Sequence, residues 1–170
     1  MVSENRMKIV IDSREQKPFK FENSVVKKLD VGDYSVEDYE DEVAVERKAV
    51  GDAISSVIQG RARFEREWKK AGSLKRFFIV IEGTQKNVEE EIINLKVTGR
   101  ITKFRGYLKS VINTYIHWCV QYGVPVFFCE GVKEAERTTY ELLRAYVKYA
   151  DKGVIPVDAP NLVDKFNIGI

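Results

Sequence analysis

Residues 43–52 read V-A-V-E-R-K-A-V-G-D, and this stretch decides the fold and the chemistry expected of the chain. Val43 and Val45 alternate with Glu46 and Lys48, which is the two-residue period of a half-buried strand. We therefore expect Glu46 and Lys48 to share one face of that strand. A carboxylate and an ammonium held side by side at a strand end can bind a divalent cation and orient a water molecule. For an isolated E-x-K, however, an exposed strand with an ordinary ion pair is the more common explanation.

Composition limits the class of protein. The chain has 170 residues, of which 44% are hydrophobic and 32% charged, and this predicts a single domain with one ordinary core. The net charge of +2 is too small to indicate nucleic-acid binding by bulk electrostatics, so such a role requires local basic clusters. Two cysteines and one histidine argue against a disulfide scaffold and a His/Cys metal site. No apolar run approaches about 18 residues, which predicts an intracellular protein without a membrane span.

Further carboxylates follow the first apolar run of the chain. Met7 to Ile11 has the length of a strand, and Asp12 and Glu15 come where it opens into a loop before Pro18. Catalytic carboxylates commonly lie at such strand ends. An Asx-type turn or a helix cap is the simpler explanation of either residue taken alone.

Asp33 lies in the next segment, Leu29 to Val36. Residues 37–42 are acidic and typical of a hairpin connection, so we expect this segment to pair antiparallel with Val43 to Lys48 and to bring Asp33 near Glu46. Carboxylates about 4 Å apart repel by roughly 4 kcal/mol at an effective dielectric constant near 20, so the cluster requires protons or a cation. Mg²⁺ or Mn²⁺ is the natural cation for carboxylate and water ligands.

The remaining chain alternates helical and strand patterns. The periodicity favours a helix introduced by Gly51-Asp52 with Asp52 as its N-cap, and one or two helical turns over Asn23 to Leu29. Longer helices are predicted over Arg61 to Ala71, Ile101 to Tyr122 and Val132 to Ala150. Strands are predicted over Phe77 to Ile81 and Val124 to Cys129. This order predicts an α/β domain with a mixed sheet and helices on both faces. With the acids at its early strands, we expect a metal-dependent phosphodiesterase.

One predicted helix carries five cations. They are Arg61, Arg63, Arg66, Lys69 and Lys70. The cations fit either a solvated amphipathic face or a face that binds phosphates.

In the segments that carry its acidic residues, the sequence resembles the XPF/Mus-type structure-specific endonuclease domain. This domain is a branch of the restriction-endonuclease-like superfamily that includes the archaeal Hef nuclease. The family signature, G-D, a spacer and E-R-K-x-x-x-D, is matched by Gly32-Asp33, Glu46-Arg47-Lys48 and Asp52, and I-D-S-R-E at Ile11 to Glu15 is similar to the family's first-strand element. The resemblance covers about residues 7–150. It implies a restriction-endonuclease-like mixed central sheet flanked by helices on both faces.

The resemblance also implies roles for individual residues. Glu15, Asp33 and Glu46 would be ligands of Mg²⁺ or Mn²⁺, with Asp12 beside them. Lys48 would position or help to deprotonate the attacking water. Arg47 would support the site, and Asp52 matches the last position of the motif. Arg14 and Arg61 become candidates for binding DNA phosphates, together with Arg63 and Arg66 of the basic helix. The implied reaction is hydrolysis of phosphodiester bonds in branched DNA such as flaps and forks, in DNA repair or replication-fork processing.

Several expectations concern partners. The family usually carries helix-hairpin-helix modules after the nuclease domain, and we expect none in the tail, residues 151–170. The spacing of Val163 and Phe166 suggests a sliding-clamp peptide. The resemblance also implies a homodimer through the nuclease domain. A non-catalytic DNA-binding or scaffolding subunit is the alternative to an enzyme. The expected location is the cytoplasm of an archaeon or the nucleus of a eukaryote.

Overall fold

The structure is a computed structural model in which residues 7–101 and 104–155 are described, apart from the side chains of residues 61, 63–65 and 104–109. The described residues form six strands and five helices. The strands are β1 (Ile9–Asp12), β2 (Ser24–Lys27), β3 (Tyr34–Val36), β4 (Val43–Lys48), β5 (Arg76–Ile81) and β6 (Val126–Phe128), and the helices are α1 (Val50–Ile58), α2 (Arg61–Ala71), α3 (Gln85–Val97), α4 (Phe104–Tyr122) and α5 (Val132–Asp151).

The six strands form one mixed sheet in the order β2-β1-β3-β4-β5-β6. Strand β3 runs antiparallel to β1 and β4, whereas β1 pairs with β2, β4 with β5 and β5 with β6 in parallel. Tyr34 faces Val45 in the pairing of β3 with β4. This confirms the hairpin predicted from the acidic connection, and it makes β4 a central strand.

Helices cover both faces of the sheet, as predicted. On one face, helices α1 to α4 enclose a core that includes Trp68, Ile79 and Trp118. On the other face, α5 contributes Leu143 to a second core, which also contains Tyr34. The alternation of Val43 to Lys48 predicts a half-buried strand, but in the structure β4 contributes side chains to the cores on both faces of the sheet. Val43 and Val45 belong to the α5 core and Ala44 to the opposite core, because a central strand of an α/β sheet has no solvent face.

The prediction of one or two helical turns over Asn23 to Leu29 is wrong. Residues Ser24–Lys27 form the edge strand β2, which pairs in parallel with β1 from Ile9 opposite Ser24 to Asp12 opposite Lys27. The outer edge of β1 offers backbone hydrogen bonds that override weak local preferences, and adjacent valines suit a strand. The strand leaves little trace in the sequence because it is mostly exposed, with Val26 64% accessible.

The predicted N-cap at Asp52 is also wrong. Helix α1 begins at Val50, its N-cap is Ala49, and no side chain caps it. The backbone N–H of Ala53 already bonds to the carbonyl of Ala49 at 2.9 Å, so the first turn closes before Asp52 could cap it. Asp52 instead lies in the first turn, where its charge complements the helix dipole.

The helices predicted over Arg61 to Ala71 and Val132 to Ala150 agree with α2 and α5 to within one residue. The helix expected from Ile101 is described from Phe104 onward. Residues 156–170, with the clamp-type peptide and most of the tail, lie outside the described part of the chain. None of the described helices combines the length and apolarity needed to cross a membrane.

Candidate active site

Glu46 and Lys48 lie on the same face of β4, as predicted. Lys48 Nζ donates a hydrogen bond to Glu46 Oε1 at 3.1 Å. Because side chains alternate along a strand, both residues share the face of Ala44, which is covered by the helices α1 to α4. Lys48 is buried, so its ammonium acts in a partly dry environment rather than on an open surface.

Asp33 joins this pair through a glycine turn. Gly32 has a φ of 74°, and a Cβ there would lie 2.9 Å from that of Ala44, so the turn sits directly against β4. The Asp33 N–H donates to the carbonyl of Val45 at 2.9 Å, and its Oδ2 accepts from the backbone N–H of Arg47 at 2.8 Å. The signature G-D thus places a carboxylate beside the E-R-K strand.

The site concentrates negative charge away from water. Burial, and then the charge of Glu46, raise the pKa of Asp33 to about 8, while the bond from the Arg47 N–H opposes the shift. Burial likewise raises the pKa of Glu46, against the opposing effect of Lys48. Both carboxyl groups therefore hold protons more readily than usual, and a divalent cation would satisfy them instead.

The donor set fits a magnesium-type ion better than a closed metal cage. Among the residues described, no three His, Cys, Asp or Glu side chains are already gathered as ligands. Asp33 and Glu46 offer two carboxylates, and Mg²⁺ is commonly bound by one or two carboxylates with several retained waters. The pair therefore fits a hard cation that keeps part of its hydration shell.

Glu15, the third predicted ligand, is held by neighbouring groups. Its Oε1 accepts from the Lys17 N–H at 2.9 Å and from Arg47 Nη1 at 3.3 Å. Its charge also contributes to the raised pKa of Asp33, so it lies within electrostatic reach of the carboxylate pair. The structure brings Glu15 to the edge of the site, paired with Arg47.

Asp12 lies at the cleft, but both of its carboxylate oxygens are engaged by neighbouring groups. It is buried, its Oδ1 accepts from the Leu29 N–H at 3.1 Å, and its Oδ2 accepts from Arg14 Nε at 2.7 Å. Arg14 Nη2 in turn donates to the Leu29 carbonyl at 2.7 Å. Both carboxylate oxygens are thus engaged in fixing Arg14 and the loop that leads to Asp33.

Arg47 points to the opposite face of β4 from Glu46 and Lys48. Its guanidinium lies over the ring of Phe19, 4.8 Å from the centroid, and its Nε donates to Glu82 Oε1 at 2.6 Å. Arg47 therefore contacts the site in two ways, with its backbone at Asp33 and with its side chain at Glu15. The partnership with Glu82 is a feature that the sequence pattern does not reveal.

These side chains surround an open cleft of about 1110 Å³. It is larger than the roughly 300–1,000 Å³ typical of small-molecule pockets, which suits an extended substrate. Asp33, Glu46 and Lys48 line it, together with Asp12, Arg14, Glu15, Lys17, Asp52, Glu67 and Lys70.

The basic helix contributes to the cleft differently from the prediction. Arg66 is exposed but does not line the cleft, while Lys70 of the same helix does. The side chains of Arg61 and Arg63 lie outside the described residues. Glu67, which we did not predict, also lines the cleft, and its charge raises the pKa of Glu46. Its spacing of three from Lys70 puts both on one helix face, a signal the sequence did contain.

The fold is an α/β domain with an acidic cleft beside its central strand. The model of the ERCC4 domain family matches residues 11–142, and the chain belongs to that family. It is similar to the solved structure of XPF from Aeropyrum pernix, with 21% sequence identity and a TM-score of 0.60 over 86% of this chain and 70% of that chain, which shows a shared fold. No curated protein matches the sequence.

Family and fold confirm two predictions. The chain is an XPF-type nuclease domain, and its mixed sheet with flanking helices is of the α/β class. The domain therefore belongs to a structure-specific nuclease family.

Proposed function

We propose that this domain is a metal-dependent DNA endonuclease that hydrolyses phosphodiester bonds in branched DNA such as flaps and forks. The observation that carries the proposal is the convergence of Asp33, Glu46 and Lys48 in one cleft, with 2.8 Å from the Arg47 N–H to Asp33 and 3.1 Å from Lys48 to Glu46. Membership of a structure-specific nuclease family supports the same reaction class.

In the proposed reaction each residue has a distinct part. Asp33 and Glu46 would hold Mg²⁺ or Mn²⁺, with Glu15 as the candidate third ligand. A cation bound there lowers the pKa of water and neutralises charge on the phosphate. Lys48, fixed by Glu46, orients the attacking water as an ammonium, since a buried ammonium has only a few directions in which to donate. To take up the proton of that water, Lys48 would have to be present as the neutral amine.

Other residues are proposed to bind DNA. Arg14 and Lys70 line the cleft with cationic side chains, so either can contact a phosphate near the cleaved bond. Asp12 keeps Arg14 in place through the 2.7 Å bond to Nε. Arg61, Arg63 and Arg66 stay candidates for binding DNA phosphates.

A homodimer is part of the proposal. Ile116 and Val120 of α4 are exposed at a spacing of one helical turn, with Val120 83% accessible, so this helix has apolar surface beyond the core. Sedimentation of the purified protein tests this: Val120→Lys is expected to shift a dimer toward monomer. A wild-type monomer at all concentrations would contradict it.

Cleavage of labelled DNA tests the main proposal. We expect cutting of a fork or flap in Mg²⁺ or Mn²⁺, none with a chelator, and less on linear duplex of the same length. Asp33→Asn is expected to abolish cutting, while Asp41→Asn on the exposed hairpin turn makes the same chemical change away from the cleft. Binding without cutting of any branched DNA would favour the non-catalytic subunit.

A further inference from the structure

Glu82 lies just beyond the end of β5, beside the catalytic strand but outside the cleft. Its N–H donates to the carbonyl of Lys48 at 2.9 Å, and this contact continues the pairing of β4 with β5. Its side chain is only 9% exposed and accepts the 2.6 Å bond from Arg47 Nε. The contact of this carboxylate with the site therefore runs through Arg47.

Arg47 is the point where several site elements meet. Its backbone N–H binds Asp33 Oδ2, its Nη1 donates to Glu15 Oε1 at 3.3 Å and to the carbonyl of Lys17, and Phe19 supports the guanidinium from one side. The orientation of this one side chain therefore fixes Glu15 and the backbone after it relative to Asp33.

The two carboxylates on Arg47 are not equivalent. The bond to Glu82 is shorter than the bond to Glu15 by 0.7 Å, and only Glu15 lines the cleft. If Glu15 turns to a cation, the half-buried guanidinium loses one counter-charge. Glu82 keeps it paired, which removes much of the cost of releasing Glu15.

We propose that Glu82 is a positioning residue of the nuclease site, which anchors Arg47 so that Glu15 is held in reach of Asp33 and can be released to the cation. The inference rests on the proposed function for its metal, but it concerns a residue to which the cleft gives no direct role. Without the Glu82 charge, Arg47 pairs more tightly with Glu15 and competes with the cation for it.

The test compares Glu82→Gln with Glu89→Gln, which makes the same change on the exposed face of α3. Groups that hold a metal ligand in place typically contribute about 10- to 100-fold to metal affinity or activity. We expect Glu82→Gln to weaken Mn²⁺ binding, measured by calorimetry, by about 10-fold. We expect it to lower kcat on fork DNA similarly while the KM for DNA stays within about twofold.

A spectroscopic measurement separates positioning from general loss of stability. The ¹⁵N-labelled Arg47 Nε–H signal is expected to move in Glu82→Gln and to recover in part in Glu82→Asp, which restores the charge. An unmoved Arg47 signal and unchanged Mn²⁺ affinity in Glu82→Gln would overturn the proposal. If Glu82→Gln does not fold, Glu82→Asp decides by the same two readouts, because its shorter side chain keeps the charge but cannot reach Arg47 Nε at the same distance. A moved signal with weaker Mn²⁺ binding supports the role, and no change in either readout overturns it.

Failure of the proposed function gives a different result. A wild-type protein that binds Mn²⁺ but cuts no branched DNA would contradict the nuclease activity. The Mn²⁺ affinities of Glu82→Gln and Glu89→Gln would still decide whether Glu82 positions the site.

Discussion

The backbone N–H of Arg47 donates to Asp33 Oδ2 at 2.8 Å, so the central strand itself holds the carboxylate that the preceding turn supplies. The next residue on each side of Arg47, Glu46 and Lys48, faces the cleft. One short segment of β4 thus provides a carboxylate, an ammonium and the support for a second carboxylate. Substitutions in and beside this segment are therefore expected to affect the protonation of Asp33, the stability of the fold and the rate of cleavage separately.

The first prediction concerns the stability of the metal-free protein as a function of pH. The pKa of Asp33 is raised from 3.8 to about 8 in the folded state, chiefly by burial. The folded state therefore binds this proton more tightly than the unfolded state, and the contribution to stability is complete below about pH 4 and is lost as the pH rises to about 8. Asp33→Asn removes the effect, so we expect its stability relative to wild type to increase across this window.

Urea denaturation in the presence of a chelator measures this difference. Asp41→Asn on the exposed turn is the control for the substitution itself. A constant difference between Asp33→Asn and wild type from pH 4 to pH 8 would contradict the raised pKa. Added Mg²⁺ is expected to stabilise the wild type more at pH 8 than at pH 5, because the ion competes with the proton for the same oxygens.

The second prediction concerns Lys48. Lys48→Ala removes the ammonium that Glu46 holds, and a positioned proton-transfer group contributes about 10²–10⁴-fold to a rate. We expect kcat on fork DNA to fall by that factor, with DNA affinity little changed. Lys133→Ala on the exposed start of α5 is the matched control, and cleavage by Lys48→Ala at the rate of that control would exclude this role.

The third prediction concerns the turn before Asp33. Gly32 has a φ of 74°, and an alanine Cβ would lie 2.9 Å from Ala44 Cβ and 3.1 Å from the Val45 carbonyl oxygen. A side chain forced into this conformation costs about 1–3 kcal/mol, so we expect Gly32→Ala to lower the free energy of unfolding by that amount. Cleavage is expected to fall as well, because the turn carries Asp33.

Gly51→Ala is the matched control for Gly32→Ala. It lies in α1, and a Cβ there meets nothing within 4 Å. Gly51→Ala is expected to stabilise the protein by about 0.5 kcal/mol, because alanine favours helix. Denaturation curves that rank Gly32→Ala at or above Gly51→Ala in stability would contradict the packing of the turn against β4.

Local patterns in the sequence predict the geometry around β4 well. The alternation at Val43 to Lys48 and the turn at Gly32-Asp33 are encoded by neighbouring residues, so the shared face of Glu46 and Lys48 and the hairpin could both be expected. Strand β2 could not, because its stability comes from the edge of β1 and not from its own pattern.

Contacts between distant segments could not be predicted from such patterns. Glu82 reaches Arg47 only because β4 and β5 pair in parallel with Lys48 opposite Ile81, a register that neither strand specifies alone. Asp12 likewise binds a backbone N–H that lies 17 residues away at Leu29. A motif therefore identifies the acids near a site, while the tertiary structure shows which of them also hold the surrounding loops.

The last prediction concerns the path of DNA along the basic helix. Lys69 and Lys70 are both exposed, but only Lys70 lines the cleft. Each phosphate contact releases counterions and adds about 0.9 to the slope of log affinity against log salt for duplex DNA. We expect Lys70→Gln to reduce that slope by about this amount and Lys69→Gln to change it much less, measured by fluorescence anisotropy on a labelled fork. Equal slopes for the two variants would mean that DNA does not follow the cleft wall at Lys70, and a larger effect of Lys69→Gln would move the path to the outer face of α2.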